Sequence, residues 1–188
     1  MVFAQTNFAV LANDGSWNWF NDSRGLFHNG VLYFGSVRNA DGKAVLNAFH
    51  PETGRKTELW TSTLTERDDY DSPGLLLRPD GRMLSAYSRH NTDPFFSFRI
   101  SHGTDPSLAT AWGVEQRIPH SGAGVSYANL TQLREEGGRI YNLVRNQRSN
   151  PTFFVSTNGG LSWSEPRMLL QTGPRVTRSY VKMYSDGE

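Results

Sequence analysis

The sequence predicts an all-β fold, a partial β-propeller of about three four-stranded blades plus the first strand of a fourth. Three observations favour it: short strands of alternating apolar and polar residues, a turn glycine that returns about every 50 residues, and a tryptophan near the end of each unit. A repeat of that length suits four strands per blade. A β-sandwich, with strands about every 8–12 residues, is the alternative architecture.

The repeat divides the chain into successive blades. The predicted blades are approximately 20–62, 70–118 and 125–170, and the next blade starts at 178–188. In each unit a glycine is expected to turn the first hairpin, because glycine readily takes the positive φ of tight turns. These glycines, spaced 51, 57 and 49 residues apart, are Gly30, Gly81, Gly138 and Gly187. The tryptophans that close the units are Trp60, Trp112 and Trp163.

The third unit contains the sharpest local motif, Ser156-Thr-Asn-Gly-Gly-Leu-Ser-Trp163. It fits an Asp-box, with Asn158 in the place of the aspartate. Asparagine caps its own turn, Gly160 is suited to a positive φ, and the tryptophan is expected to pack under the loop. The motif therefore predicts a structural hairpin between outer strands, away from the active face.

Composition excludes several classes of function. The net charge of +1 gives no broad attraction to nucleic acid or to an anionic membrane, so neither is predicted as a partner. There is no cysteine, and the five histidines show no metal-ligand spacing, so no metal and no cofactor is predicted. No apolar run approaches the roughly 18 residues that span a bilayer. Composition and charge do not determine the oligomeric state.

The two termini give expectations about the gene product. The first ten residues lack the basic region and the apolar core of a signal peptide. A propeller closes on itself to remove its sheet edges, and the sequence stops inside a predicted strand at Glu188. We therefore expect that the chain is a fragment and that the natural protein continues beyond it.

Candidate functional residues cluster at strand ends. The segment Asp68-Asp-Tyr-Asp-Ser-Pro-Gly74 leads into one apolar strand, and Tyr87-Ser-Arg-His-Asn91 ends the next. Because consecutive strands of a blade are antiparallel, Tyr70 and His90 should meet at the same end of the sheet.

The following blade repeats this arrangement. Tyr127 and Asn129 lie at the start of one strand, and Arg145 lies at the end of its partner. Taken alone, a strand-end tyrosine is usually a packing residue, a lone histidine lies at the surface, and an arginine pairs with a nearby acid. The repetition on adjacent blades favours a functional site.

These side chains suit an acidic sugar. Arginine binds a carboxylate bidentately, histidine titrates near neutral pH, and tyrosine donates or accepts a proton when nearby cations lower its pKa. Such a set permits β-elimination, in which the carboxylate is neutralised, the adjacent carbon loses its proton, and the leaving glycosidic oxygen is protonated.

Longer segments carry a resemblance to a known family. The segments are Ser16-Trp-Asn-Trp-Phe-Asn-Asp-Ser-Arg24, Asp68 to Leu76, Arg78 to Asn91, and Arg178-Ser-Tyr-Val-Lys-Met183. They resemble the BNR-repeat family, which includes the seven-bladed ulvan lyases, and the chain is similar to the N-terminal half of such a propeller. The resemblance implies a polysaccharide lyase, an acidic, uronic-acid-containing polysaccharide as substrate, and a secreted or periplasmic location.

The resemblance also implies roles for individual residues. His90 matches an active-site histidine of the family, Tyr127 the tyrosine that transfers protons, and Arg145 the arginine that neutralises the uronic acid. A further family histidine is replaced by Tyr70. If that histidine is essential, the replacement implies either loss of ulvan lyase activity or a different sugar; if Tyr127 alone carries the proton transfer, Tyr70 only reshapes the subsite. The predicted catalytic residues are Tyr127 and His90, and the predicted substrate-binding residues are Arg145, Tyr70, Asn91, Arg89 and Asn129.

Two other functions stay open. A non-catalytic glycan-binding or scaffold propeller is favoured by the tyrosine at position 70. A sialidase-like hydrolase is suggested by the tripeptide Arg117-Ile-Pro119, although it follows a blade-closing tryptophan and does not open an early strand.

Overall fold

The computed structural model describes residues 9–16, 18–122, 124–173, 180–183 and 185. In these residues the chain forms three four-stranded antiparallel sheets, each with its strands in sequence order. The predicted all-β fold class is therefore confirmed. The helical segments of the described residues are single turns of 3₁₀ helix at Asp69–Asp71 and Ala109–Ala111.

Each sheet uses a continuous stretch of chain. The first consists of β1 (Gly25–His28), β2 (Val31–Arg38), β3 (Lys43–His50) and β4 (Arg55–Thr65). The second consists of β5 (Gly74–Leu77), β6 (Met83–Tyr87), β7 (Phe95–Ile100) and β8 (Gln116–Pro119). The third consists of β9 (Ser126–Leu133), β10 (Arg139–Asn146), β11 (Asn150–Ser156) and β12 (Arg167–Met168).

Glycines turn the first hairpin of every sheet, as the repeat predicts. Gly30, Gly81 and Gly138 lie between the first and second strands and have φ values of 75°, 78° and 75°. Side chains with a Cβ rarely adopt this left-handed conformation, which explains why glycine recurs. The fourth turn glycine, Gly187, lies outside the described residues, and residues 180–183 and 185 have no strand assignment.

The sheets pack face to face through two hydrophobic layers. Between the first and second sheets, Leu46 and Trp60 pack with Leu75 and Met83, all buried. Burying an aliphatic or aromatic side chain of this size contributes roughly 1.5–3 kcal/mol. These layers fix the sheets relative to one another and thereby position the loops at their ends. The buried members of the layer between the second and third sheets include Leu84, Phe96, Ile140, Val144 and Phe154.

The first strands of the three sheets approach closely, with β5 between β1 and β9. The approach depends on Gly74, where an added Cβ would lie 2.5 Å from the carbonyl oxygen of Ala128 and 2.9 Å from that of Asp22. Backbone atoms of β5, of β9 and of the segment that precedes β1 therefore meet at one point. The segments that enter β5 and β9 consequently lie side by side at the same end of the structure.

The segment 156–163 adopts the turn that its sequence predicts, between the outer strands β11 and β12. Asn158 Oδ1 accepts the backbone N–H of Ser162 at 2.9 Å, and Gly160 has a φ of 90°. The indole of Trp163 donates to the carbonyl oxygen of Gly160 at 3.0 Å and packs edge-on against Phe96 of the neighbouring sheet. Its classification as an Asp-box stays a prediction.

No helix among the described residues is long and apolar enough to cross a membrane.

Candidate functional site

Six side chains come together where β5 and β9 begin and β6 and β10 end. We call this group the site cluster. Three of its members are buried aromatic residues that pack against one another, Phe20, Tyr70 and Tyr127. The others are the partly buried Tyr180 and two basic residues, His90 and Arg145.

Tyr70 is held by the short 3₁₀ turn that precedes β5. The side chain of Asp68 caps this turn by accepting the backbone N–H of Tyr70 at 3.0 Å. The tyrosine ring then stacks on the imidazole of His90, with centroids 3.9 Å apart and planes inclined by 3°. Its hydroxyl is hydrogen-bonded to that of Tyr180. The predicted meeting of Tyr70 and His90 at one end of the sheet is observed.

His90 is bonded on both sides of its ring. Nδ1 lies 2.9 Å from Oδ2 of Asp68, and Nε2 lies 3.0 Å from Nη2 of Arg145. The backbone N–H of His90 donates to the carboxylate of Glu66 at 2.6 Å. The imidazole is thus fixed in position and orientation by the loop that carries Tyr70 and by the third sheet.

Tyr127 lies in a β-bulge at the start of β9, where the pairing with β10 shifts register between Leu143 and Arg145. Its φ is 53°, a left-handed conformation that is an outlier for a bulky residue. Bulges redirect side chains, and backbone strain of this kind concentrates at functional positions. The side chain is 1% exposed; its hydroxyl lies near the backbone of Val181 but forms no well-aligned hydrogen bond with the described residues.

Burial sets the ionisation of Tyr127. It raises the pKa of the phenol to about 12, while the nearby Arg145 charge acts in the opposite direction. Tyr127 therefore carries its proton at neutral pH in this structure. An additional approach of positive charge, or relief of burial, would make the phenolate more accessible.

Arg145 ends β10 and is 4% exposed. Its guanidinium carbon lies 5.1 Å from the ring centroid of Tyr70, 5.9 Å from that of Tyr127 and 5.3 Å from that of Tyr180. No described carboxylate lies within ion-pair distance, and Nη1 is buried without a hydrogen-bond partner among the described residues. A buried cation surrounded by aromatic rings is thus left without a counter-charge in the part of the chain that the structure describes.

Two further predicted residues have structural partners outside the site cluster. Arg89 forms a bidentate ion pair with Asp93, at 2.7 Å and 2.6 Å. Asn91 is exposed, has a φ of 55°, and donates its backbone N–H to the carbonyl oxygen of Val125. The structure does not bring the side chains of Arg89 and Asn91 into the site cluster, and their role in binding substrate stays a prediction.

Asn129 lies beside the site cluster and connects remote parts of the chain. Its Oδ1 accepts the backbone N–H of Asp22 at 2.6 Å, and its Nδ2 donates to the carbonyl oxygen of Val181 at 3.0 Å. Both ends of the amide are engaged with backbone. The observed role of Asn129 is to hold the segments that carry Phe20 and Tyr180 against β9.

Sequence reasoning missed four residues of this region. Asp68 lies in a segment already singled out, and its position two residues before Tyr70 could have identified it. Phe20 and Tyr180 lie in segments quoted for the family resemblance, but residues this distant in sequence show no pairing signal. Trp19, in the first of those segments, is 60% exposed beside Tyr180, with ring centroids 5.5 Å apart. Trp17 lies outside the described residues.

The site cluster is packed closed. The ring of Phe20 lies 4.5 Å from Tyr70 and 4.6 Å from Tyr180, measured between centroids. A cavity of about 870 Å³ runs along the first strands and is bounded by Asp22 and Lys182. His90, Tyr127 and Arg145 do not line it. The predicted residues therefore converge, but as a packed group with His90 as its half-buried edge.

Asp71 is a buried acid at the end of the 3₁₀ turn that carries Tyr70. It is 2% exposed, and its Oδ1 has no partner among the described residues. Burial, reinforced by the nearby carboxylates of Glu66 and Asp68 and opposed by the charge of Arg89, raises the pKa of this carboxyl to about 9. Asp71 is therefore neutral at pH 7.

Arg117, the arginine of the tripeptide that suggests a sialidase, lies on the outermost strand of the second sheet. Its guanidinium stacks over Phe95, donates to Thr63 at 3.1 Å and lies 3.7 Å from the carboxylate of Glu115. It is therefore engaged away from the site cluster. Among the described residues, no three histidine, aspartate or glutamate side chains group closely enough to hold a metal ion.

The fold is shared with carbohydrate-active enzymes. No protein-family model and no curated protein sequence matches the chain. A polysaccharide lyase of family PL25, an ulvan lyase solved bound to -[GlcA(1-4)Rha3S]-, is similar with a TM-score of 0.61 and 16% identity, over 86% of this chain and 41% of that chain. Polysaccharide lyase Uly1 is similar with a TM-score of 0.57 and 9% identity, over 89% and 45%.

A hydrolase has a similar structure as well. The GH43_1 enzyme from Xanthomonas citri, complexed with xylotriose, matches with a TM-score of 0.51 and 14% identity, over 85% of this chain and 56% of that chain. The chain thus spans less than half the length of the two lyases. At these identities the likeness establishes a propeller-type fold, and it does not distinguish a lyase from a hydrolase.

Proposed function

We propose that the three sheets are blades of a polysaccharide lyase that cleaves uronic-acid-containing glycans by β-elimination. The observation that carries the proposal is the buried Arg145, which has no carboxylate partner among the described residues and lies beside Tyr127. A guanidinium in this situation is suited to a carboxylate from a ligand, because the ligand supplies the missing counter-charge.

The proposed reaction assigns one role to each residue. Arg145 binds the uronate carboxylate and stabilises the negative charge that develops when the adjacent carbon, C5, loses its proton. Tyr127, as the phenolate, takes that proton, and the C4–O bond then breaks as the C4–C5 double bond forms. The phenol returns the proton to the leaving glycosidic oxygen. His90 assists in proton transfer or in neutralising the carboxylate.

Burial of Tyr127 gives this reaction a distinct pH dependence. Because burial raises the pKa of the phenol to about 12, the phenolate is the minor form at neutral pH. Turnover should therefore rise about tenfold per pH unit in the range below that pKa, provided that substrate binding does not alter the environment of the phenol.

Hydrolysis receives less support from the site cluster. Glycoside hydrolases commonly use two carboxyl groups, one of which donates a proton. The carboxylate bonded to the His90 side chain is Asp68, and both of its oxygens are engaged. Burial favours its neutral form, but hydrogen bonds from Tyr70 and His90 outweigh burial and lower its pKa. Asp68 is consequently a poor proton donor.

The test is incubation of the protein with ulvan and a panel of other uronate-containing polymers. Elimination creates unsaturated ends, which are measured by their ultraviolet absorbance. We expect product with the unmodified protein and none with Tyr127→Phe or Arg145→Lys. Arg139→Lys, a change at an exposed arginine of the same strand, serves as the control and should leave turnover unchanged.

Two outcomes would contradict the proposal. Absence of unsaturated ends across the panel would remove the lyase activity. Saccharide binding that persists unchanged in Tyr127→Phe, without turnover by either form, would instead support a non-catalytic glycan-binding propeller.

A further inference from the structure

Asp68 faces the side of His90 that points away from the rest of the site cluster. One carboxylate oxygen accepts the backbone N–H of Tyr70, and the other lies 2.9 Å from Nδ1 of His90. The hydrogen bonds to Asp68 outweigh its burial and lower its pKa, so the group is ionised at neutral pH. An ionised carboxylate only accepts hydrogen bonds, and therefore Nδ1 must carry a hydrogen.

Arg145 determines the state of the other ring nitrogen. Its Nη2 lies 3.0 Å from Nε2 of His90, and a guanidinium only donates hydrogen bonds. Nε2 must therefore present its lone pair. The two neighbours together select the neutral imidazole with hydrogen on Nδ1, and the stacked ring of Tyr70 prevents the imidazole from turning out of this plane.

This chain of bonds leaves Nη1 of the guanidinium for a ligand. Nη2 of Arg145 is engaged by His90, whereas Nη1 is buried without a hydrogen-bond partner among the described residues. The guanidinium is planar, so fixing Nη2 also fixes the direction of Nη1. Nη1 is buried, so the packed cluster must open before a carboxylate can bind it; the donor that the carboxylate then meets has its orientation set by His90, which reduces the entropy cost of holding it.

We propose that Asp68 is a positioning residue that acts through His90 to orient Arg145 toward a uronate carboxylate. The proposal rests on the proposed function, in which Arg145 binds that carboxylate. It also selects between the two roles left to His90: the imidazole serves carboxylate neutralisation through Arg145, because its one lone pair is occupied by the guanidinium. Asp68 itself touches neither substrate nor reacting atoms.

The first test is nitrogen-15 NMR of the histidine side chains in the unmodified protein. We expect His90 to be neutral, with hydrogen on Nδ1 and with Nε2 unprotonated. Hydrogen on Nε2 would overturn the proposal directly, because Nε2 could then not accept from Arg145. This measurement does not depend on any variant folding or on any activity.

The second test compares Asp68→Asn with Asp69→Asn. Asparagine is a good helix N-cap, so Asp68→Asn keeps an acceptor for the N–H of Tyr70 while removing the charge that fixes His90. Asp69→Asn removes a carboxylate from the same turn without removing a hydrogen bond to the His90 ring. We expect Asp68→Asn to lose the single tautomer and to weaken glucuronate binding about tenfold, and Asp69→Asn to do neither.

The outcomes separate this proposal from the proposed function. Glucuronate binding and a tautomer that are both unchanged in Asp68→Asn overturn the positioning role alone. A changed tautomer with unchanged affinity also overturns it, because Arg145 would then not depend on His90. Absence of glucuronate binding by the unmodified protein overturns the role of Arg145 and thus the proposed function itself.

Discussion

The ring of Tyr70 lies parallel to the imidazole of His90, with 3.9 Å between their centroids. This contact joins the loop before β5 to the end of β6. It places a tyrosine where the family resemblance implies a histidine, and it makes that tyrosine part of the support for His90.

Tyr70 should contribute to stability mainly through its ring. Tyr70→Ala removes a buried aromatic side chain and is expected to lower the free energy of unfolding by about 3–5 kcal/mol. Tyr70→Phe keeps the ring and loses the hydrogen bond to Tyr180, so its cost should stay below about 1.5 kcal/mol. Urea denaturation of the two variants measures the difference. Equal costs would show that the hydroxyl, and not the stacked ring, carries the contribution.

Tyr127 should show a conflict between stability and activity. Its buried hydroxyl forms no well-aligned hydrogen bond with the described residues, and a buried polar group without a hydrogen bond is destabilising. Tyr127→Phe is therefore expected to raise the free energy of unfolding by about 1 kcal/mol while abolishing turnover. Thermal denaturation measures the first effect and product absorbance the second. A destabilised variant would mean that the hydroxyl is satisfied in solution.

Asp71 should make stability fall as pH rises. Its pKa is raised from the ordinary 3.8 to about 9 in the folded protein. Below pH 3.8 the acid is protonated in both states, whereas between 3.8 and about 9 the unfolded state alone ionises and is favoured by doing so. The stabilising contribution of protonated Asp71 is thus fully present at low pH and is lost as pH approaches 9.

Asp71→Asn tests this dependence, because the amide stays neutral at every pH. The variant should match the unmodified protein at about pH 4 and exceed its melting temperature increasingly toward pH 9. Asp80→Asn is the control, because the pKa of Asp80 is shifted in the opposite direction. Burial would raise the pKa of Asp80, but hydrogen bonds from Arg82 and the nearby arginine charges lower it overall. Removing this carboxylate should therefore destabilise the protein at neutral pH. A melting difference that does not change with pH would contradict the assignment of Asp71.

Trp19 should bind a sugar ring at the rim of the site cluster. It is 60% exposed, and the ammonium of Lys182 lies 5.9 Å from its ring. Aromatic faces pack well against the apolar side of a pyranose, so Trp19→Ala is expected to weaken saccharide binding about tenfold, equivalent to about 1.4 kcal/mol. Calorimetric titration measures the change. Phe27→Ala, at a residue that is 64% exposed on β1, is the matched control and should leave affinity unchanged.

Gly74 should be irreplaceable even by alanine. A Cβ at this position would lie 2.5 Å from the carbonyl oxygen of Ala128, which belongs to a different sheet. Gly74→Ala is therefore expected to cost at least about 3 kcal/mol or to prevent folding. Gly25, which opens β1 as Gly74 opens β5, would place its Cβ no closer than 3.7 Å to another atom. Gly25→Ala should fold normally, and similar melting temperatures for both variants would contradict the close approach.

The sequence predicted the sheets well because their signals are local. Alternating strands and turn glycines such as Gly30 and Gly81 act over a few residues and fix each hairpin where it forms. The meeting of Tyr70 with His90 followed from antiparallel pairing alone. The contact between His90 and Arg145 required the additional expectation that neighbouring sheets present the same end, which the repeat supplied.

The rest of the site depends on contacts that no local pattern encodes. The closure of the site cluster by Phe20 and Tyr180 joins residues 160 positions apart, and nothing near either residue signals the other. The ion pair of Arg89 with Asp93, four residues further along the chain, had no signal in the motif beside His90. The left-handed backbone of Tyr127 follows from a bulge, which the alternation of residues in β9 does not predict.

The amide of Asn129 bonds the backbone at residue 22 on one side and at residue 181 on the other. These contacts span 107 and 52 residues of chain. Closing loops of this length is entropically costly while the intervening chain is unfolded, so we expect both contacts to form after the intervening sheets have assembled. During folding, the hairpins should therefore become protected from hydrogen exchange well before the neighbourhood of Tyr127 does. The neighbourhood of Tyr127, to which we assign the proposed chemistry, would then be the last part of the molecule to become ordered.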